Sequence, residues 1–201
     1  MKTRNHLLLA IASVSVLLTS GCVKLWQKNL DIKTYMVEAQ RPGEPRSAVQ
    51  PGKLWIDQVT VLPPYNVRNL VMRRNDVEFE TSYYTELLLS PSDNFRNNFY
   101  SWLADSGLFE EVAVAERNGM THRLVATVMK FYGDMEAGQA VLKIKVTLID
   151  EKTRGIGVML SKDFEQHVDV PDFSADNLIR AYDQALSLIL TDCESDMAAL
   201  F

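Results

Sequence analysis

The residue with the most distinctive chemical setting is Cys22, whose thiol is a nucleophile once deprotonated. It follows Thr19-Ser20-Gly21, and ahead of these lie a basic start (Lys2, Arg4, His6) and twelve uncharged residues from Leu7 to Leu18. Basic, apolar and small segments in that order form a secretory signal. The apolar run is shorter than the roughly 20 residues needed to cross a bilayer. The alternative is an ordinary cleavage site, which needs only small residues and leaves Cys22 incidental. Beyond the leader, residue types suited to catalysis or metal binding are sparse. His122 and His167 stand 45 residues apart, and Cys193 is a lone second thiol. H-E-x-x-H, paired C-x-x-C, calcium-loop, G-x-S-x-G and phosphate-binding glycine patterns are all missing. The sequence therefore assigns no catalytic residue, no metal ligand and no dissociable cofactor, and it reads as non-enzymatic. Carboxylates are plentiful, so a hydrolytic pair assembled by the fold is the one arrangement that spacing leaves open.

The run Leu18-Thr19-Ser20-Gly21-Cys22 resembles the lipobox of bacterial lipoproteins, with Thr19 where an aliphatic residue is usual and Leu18 one place further back. The resemblance implies S-diacylglycerol on Cys22, signal cleavage between Gly21 and Cys22, and an N-acyl group on the new amino end. At about 0.8 kcal/mol per buried methylene, two or three acyl chains hold a protein at a membrane almost permanently. In such lipoproteins Asp after the cysteine favours the inner membrane. Val23 implies the periplasmic face of the outer membrane instead.

Removal of residues 1–21 takes Lys2 and Arg4 with it and leaves 180 residues, with 19 basic and 26 acidic side chains. A formal charge of −7 argues against nucleic acid or an anionic membrane surface as a partner, since both select basic patches. With Cys22 acylated, Cys193 is either buried or paired between chains, and its place on an apolar helix face predicts burial.

Residues 22–33 read as a lipidated tether and 34–201 as a single domain. Tyr35-Met36-Val37 reads as a first strand. Gln40 to Lys53, with three prolines and two glycines, reads as a flexible loop. Leu54 to Leu62 is strand-like and stops at Pro63-Pro64. Further extended stretches are Leu70 to Met72, Val77 to Tyr84 and Glu111 to Ala115. Between the last two lies an amphipathic helix capped by Ser90, with Pro91 in its first turn, Asp93 near the positive end and Gly107 as the left-handed stop. Phe95, Phe99, Trp102 and Leu103 form its apolar face.

Leu124 to Tyr132 is apolar on both faces, as a central strand would be. From Ala140 to Ile149 the even positions face inward. Ile156 to Gln166 alternates in the same way, with Val158, Leu160 and Phe164 inward. These two strands predict a hairpin placing Lys143 opposite Glu165 and Lys145 opposite Asp163. A last helix is capped by Ser174 with Asp176 in its first turn. It buries Leu178, Tyr182, Ala185, Ile189 and Cys193, widened by Ala181, Leu186 and Leu190. The sum is an α+β fold: one mixed or antiparallel sheet with two main amphipathic helices on one face.

Tyr65, Asn66, Arg68, Arg73, Tyr83 and Tyr84 cluster around the extended segments before the first helix. Aromatic and arginine side chains are enriched at interfaces, so these six are the candidate partner-binding residues. The bland alternative is that Tyr83 and Tyr84 are ordinary strand residues, one pointing in and one out.

The succession Pro64-Tyr65-Asn66-Val67-Arg68-Asn69-Leu70-Val71-Met72-Arg73, the Tyr83-Tyr84 pair, and Trp102-Leu103-Ala104-Asp105-Ser106-Gly107-Leu108-Phe109 with Val112 beyond it resembles the auxiliary lipoproteins of ABC-type transport systems. That family includes the lipoprotein subunit of paraquat-inducible intermembrane lipid transport systems. The resemblance extends to the closing hairpin around Asp150 and the Ala181-to-Leu190 helix. It implies an outer-membrane lipoprotein facing the periplasm that docks the end of an MCE-type (mammalian cell entry domain) channel, in one system with an inner-membrane permease. Such a docking role is compatible with a homo-oligomeric ring. One departure stands out: where the family often has an Arg-Trp pair, this chain has Glu86-Leu87-Leu88-Leu89.

A second class of outer-membrane lipoprotein regulates peptidoglycan synthesis by reaching inward to a polymerase. That role needs a long tether. The roughly 13 residues from Cys22 to Tyr35 span at most about 45 Å, which favours the transport reading.

Overall fold

The computed structural model describes residues 31–46, 50–152 and 157–201. Gly21 and Cys22 lie outside these residues, as does the predicted tether as far as residue 30. Residues Ile32–Phe201 form one compact unit. Its elements, in chain order, are β1 (Lys33–Tyr35), β2 (Gln50–Val61), β3 (Asn69–Arg73), β4 (Phe79–Leu87), α1 (Pro91–Ser106), β5 (Phe109–Ala113), β6 (His122–Asp134), β7 (Gln139–Asp150), β8 (Gly157–Asp169) and α2 (Ala175–Ala198).

β6 organises the sheet. Along one edge it pairs with antiparallel β7, which pairs with β8. Its other edge is shared by two parallel strands, β2 along the first half and β3 at the far end. β5 lies outside β2, while β4 and then β1 lie outside β3. The sheet is thus mixed, and α1 and α2 cover one face of it. The apolar stripes predicted for both helices are buried there, against Leu54 and Ile56 of β2, Leu124, Ala126 and Val128 of β6, and Leu142, Ile144, Val146 and Leu148 of β7.

The helix signals act as their chemistry dictates. Ser90 and Ser174 accept the N–H of Asp93 and Asn177 at the two N-termini. Gly107 ends α1 at φ 66°, and a Cβ there would lie 2.9 Å from the Arg46 carbonyl oxygen. The β7–β8 register is the expected one, with Lys143 opposite Glu165 and Lys145 opposite Asp163.

Several expected boundaries move, each for a local reason. The predicted loop from Gln40 to Lys53 contains the start of β2, since Gln50 and Lys53 pair with Phe109 and Glu111. Gly52 is what admits the chain there: a Cβ on it would lie 2.8–2.9 Å from the His122 ring and the Thr121 hydroxyl. Nor are residues 40–46 loose. Arg41 and Arg46 each place Nε 3.0 Å from the Glu194 carboxylate, which also accepts Trp102 Nε1–H at 2.9 Å.

The first strand covers Lys33–Tyr35, and Met36-Val37 leave the sheet. From Val37 to Gln40 the backbone is held by side chains of both helices. Asn94 and Asn98 each donate to the Val37 carbonyl and accept from Val37 and Ala39 respectively, Asp183 accepts from Glu38, and Ser187 accepts from Gln40. Those bonds replace a neighbouring strand.

β4 begins at Phe79 instead of Val77, because the Asn75 side chain accepts from the N–H groups of Val77 and Glu78 and holds them in the turn. β5 is Phe109–Ala113 instead of Glu111–Ala115, following its pairing with β2. Val158 is exposed, not inward as expected. A bulge makes Val158 the partner of Ile149 while Leu160 pairs with Leu148, so the alternation reverses across Met159. A second bulge at Met129 sends Phe131 toward the helices and Tyr132 to the other face. This accounts for a β6 that reads as apolar on both sides.

Candidate partner-docking surface

The face that the helices leave open carries a second apolar cluster of Val71, Tyr132 and Val141, packed by Tyr65. Tyr65 stacks on Tyr132 with ring centroids 5.8 Å apart, and Phe79 meets the same ring edge-on at 5.7 Å. The Arg73 guanidinium lies 5.5 Å from the Tyr132 ring centroid and forms an ion pair with Asp134. Asp134 is buried, which by itself opposes its charge. The Ala137 N–H and Arg73 outweigh that and hold its carboxyl below the usual range. Beside the cluster opens a cleft of about 670 Å³, lined among others by Pro64, Val71, Met72, Phe79, Glu80 and Tyr83.

The six predicted residues fall into three pairs. Tyr65 and Arg73 meet at the Tyr132 ring. Asn66 and Arg68 fix the connection between β2 and β3: Asn66 Oδ1 accepts from Ser92 Oγ at 3.4 Å, and Arg68 Nε donates to the Leu87 carbonyl at 2.7 Å. Arg68 also pairs with Glu86 at 3.1 Å. Glu86 and Leu87, from the Glu86-Leu87-Leu88-Leu89 stretch, therefore serve as the anchor of Arg68. Tyr83 and Tyr84 are both exposed, at 83% and 57%, so the alternative of one in and one out does not hold. Their stretch of β4 is irregular: Asn69 pairs with Glu86 and Val71 with Thr81, so four residues of β4 stand against one of β3. Sequence reading missed Phe79 and Tyr132. Both sit where the β6 bulge and the β3–β4 turn redirect the chain, and neither event leaves a period in the sequence.

The scattered catalytic residue types stay scattered. His122 pairs with Asp150, whereas His167 pairs with Val141 and so with Tyr132, about ten residues or roughly 33 Å along the sheet. His122 packs between Phe109 and Phe201, and burial lowers its pKa. His167 lies 3.2 Å from Glu165 on the open face. Cys193 is buried, which pushes its thiol up to about 12. Among the described residues, no three His, Cys, Asp or Glu side chains are grouped to hold a metal ion.

Residues 35–193 match the model of a family described as the ABC-type transport auxiliary lipoprotein component. Among solved structures, protein XCC0632 from Xanthomonas campestris superposes with a TM-score of 0.72 at 15% identity, covering 84% of this chain and 96% of that one. Another structure, of an uncharacterized protein, gives 0.66 at 16% identity, covering 82% and 97%. At such identities the likeness is one of fold. No curated protein matches the chain in sequence.

Proposed function

The chain belongs to the family of ABC-type transport auxiliary lipoprotein components, and from that premise we propose that it is the docking subunit of an intermembrane lipid transport system, acting by protein binding and not by catalysis. N-acyl and S-diacylglycerol groups on Cys22 anchor it at the periplasmic face of the outer membrane. Its partner is the end of an MCE-type channel, coupled to an inner-membrane permease. Anchoring confines both partners to a thin layer and so raises their effective concentration.

The observation that carries this reading is the pre-ordered open face. Tyr65, Arg73 and Phe79 are fixed around Tyr132 beside a cleft of about 670 Å³, with Tyr83 at its rim, and no element of the described chain covers them. Asn66 and Arg68 hold the connection that presents Tyr65. Rigid aromatic and arginine side chains lose little freedom on binding, which suits them to capture another protein.

The test has two parts. Mass spectrometry of the native protein is expected to find Cys22 triacylated as the first residue. Recovery of the protein from native membranes in gentle detergent is expected to bring an MCE-domain protein with it, and Tyr65→Ala with Arg73→Lys, which keeps a cation beside Asp134, is expected to release that partner while leaving the fold intact. A native protein with a bare Cys22 thiol, or a partner that ignores both substitutions, overturns the reading.

A further inference from the structure

β4 is paired along its whole inner side by β3 and along only part of its outer side. On that outer side β1 is its neighbour among the described residues, and the pairing begins with Lys33 opposite Thr85. Asp31 and Ile32 precede β1 without joining it, so Phe79 to Tyr84 form a bare sheet edge about 20 Å long. Two hydrogen bonds fix which way its backbone groups point. Arg74 N–H donates to the Glu78 carbonyl at 2.9 Å, which makes these two a bonded pair, and the antiparallel alternation makes Met72 and Glu80 the next. Arg73 and Val71 turn the other way, toward β6: the Arg73 carbonyl accepts the N–H of Met135, just past β6, at 2.9 Å. Their partners Phe79 and Thr81 therefore aim N–H and C=O out of the sheet. Natural edges are commonly guarded by lysine or proline, and the stretch Phe79-Glu80-Thr81-Ser82-Tyr83-Tyr84 has neither.

We propose that this edge takes an extended segment of a partner protein as an added strand, and that the segment alternates apolar and basic residues. The inference deepens the docking role proposed above and rests on it for the partner being a protein. The alternation follows from the two faces of β4. Phe79 and Thr81 point to the open face, where Phe79 meets Tyr132 and the cleft of about 670 Å³ begins. Side chains of an added strand on that side enter the cleft beside Val71, Phe79 and Thr81, which favours apolar ones. Glu80 points to the other face, with Glu78 one pair further along and Asp76 in the turn. Against these three carboxylates stands Arg74, 2.6 Å from Glu80, while Arg73 is taken up by Asp134. The surplus of negative charge selects lysine or arginine at the intervening positions. Main-chain bonds to Phe79 and Thr81 supply affinity, and the cleft and carboxylates supply specificity. β1 already uses the same edge in this way, its Tyr35 carbonyl accepting Leu88 N–H at 2.7 Å. In this chain the alternating pattern occurs at Leu142-Lys143-Ile144-Lys145-Val146, which is paired on both sides within the sheet, so a folded second copy does not offer that stretch.

The experiment uses the mature protein in a neutral detergent and a short fluorescein-labelled peptide alternating valine and lysine. Fluorescence anisotropy reads binding, and amide hydrogen exchange reads where the peptide lies. Binding is expected to slow exchange across Phe79 to Tyr84. Thr81→Pro removes an outward N–H at a position where an edge strand tolerates proline, and is expected to weaken binding roughly tenfold. Thr81→Ala keeps that N–H and is expected to change binding by less than about twofold. A peptide alternating valine and glutamate is expected to bind roughly tenfold more weakly than the lysine one. Absence of binding, equal effects of the two Thr81 variants, or exchange across Phe79 to Tyr84 that ignores the bound peptide each overturns the added strand. Exchange there that slows with rising protein concentration and no peptide assigns the edge to a second copy and overturns it too. Should Thr81→Pro fail to fold, the exchange measurement on the unchanged protein decides alone. Recovery of an MCE-domain protein from native membranes that Thr81→Pro leaves untouched keeps the docking role and overturns the added strand. Peptide pairing at the edge of a protein that recovers no such partner does the reverse.

Discussion

The two faces of the sheet are built differently. Toward α1 and α2, the sheet contributes Leu54, Ile56, Leu124, Leu142 and Ile144 to one continuous apolar layer, and Phe95 meets Phe131 edge-on inside it. On the open face, apolar contact shrinks to the island around Tyr132, and the rest is tiled by ion pairs. Glu165 gathers Lys130 at 2.7 Å, Lys143 at 3.1 Å and His167 at 3.2 Å, while Arg123 joins Asp57 and Glu151. Stability resides on the first face, where each removed atom leaves a void. The recognition proposed above would use the second, where side chains are fixed by pairing and still meet solvent.

The comparison breaks most readily at the core. Phe95→Ala is expected to cost about 4 kcal/mol in chemical denaturation, because the ring is fully buried between α1 and β6; a cost near that of a surface change would mean that the covered layer does not carry the stability. Next comes Glu194→Ala, which strands Arg41, Arg46 and the Trp102 N–H around a missing carboxylate. About 3 kcal/mol is expected, with limited proteolysis near Arg46 as an independent readout of a released segment.

On the open face the expected effects are smaller and depend on pH. Hydrogen bonding from Lys130, followed by Lys143 and His167, outweighs burial and lowers the Glu165 carboxyl to about 2. Its folded pKa lies below the ordinary 4.5, so its contribution is fully present above that value and is lost as pH falls toward 2. Glu165→Gln is therefore expected to flatten the acid side of a stability-against-pH curve within that window, and an unchanged slope would remove this residue from the account. Smallest of all, Tyr83→Ala and Tyr84→Ala are expected to change stability by less than about 0.5 kcal/mol, since neither ring is covered. Partner capture is expected to respond to Tyr83.

Legibility in sequence follows the same division. Period and capping residues identify α1, α2 and the β7–β8 register, because burial on one face imposes a repeat that the chain must honour. The bulges at Met129 and Met159 are decided by how neighbouring strands twist together, so Val158 reads as inward and Tyr132 goes unnoticed. The loop around Arg41 and Arg46 reads as flexible from its prolines and glycines, whereas its anchor, Glu194, lies about 150 residues downstream. As for the open face, aromatic and arginine enrichment picks out Tyr65 and Arg73. It does not separate them from Arg68, whose role is to hold the Leu87 carbonyl.

The segment that threads between the helices also sets how force enters the molecule. Traction on the N-terminus reaches β1 lengthwise, so its three pairings with β4 are strained together instead of opening in turn. Behind them, Asn94, Asn98, Asp183 and Ser187 grip the next few residues, and the twin arginines on Glu194 secure the strip beyond. A segment gripped this way yields to a tug only when many bonds fail at once.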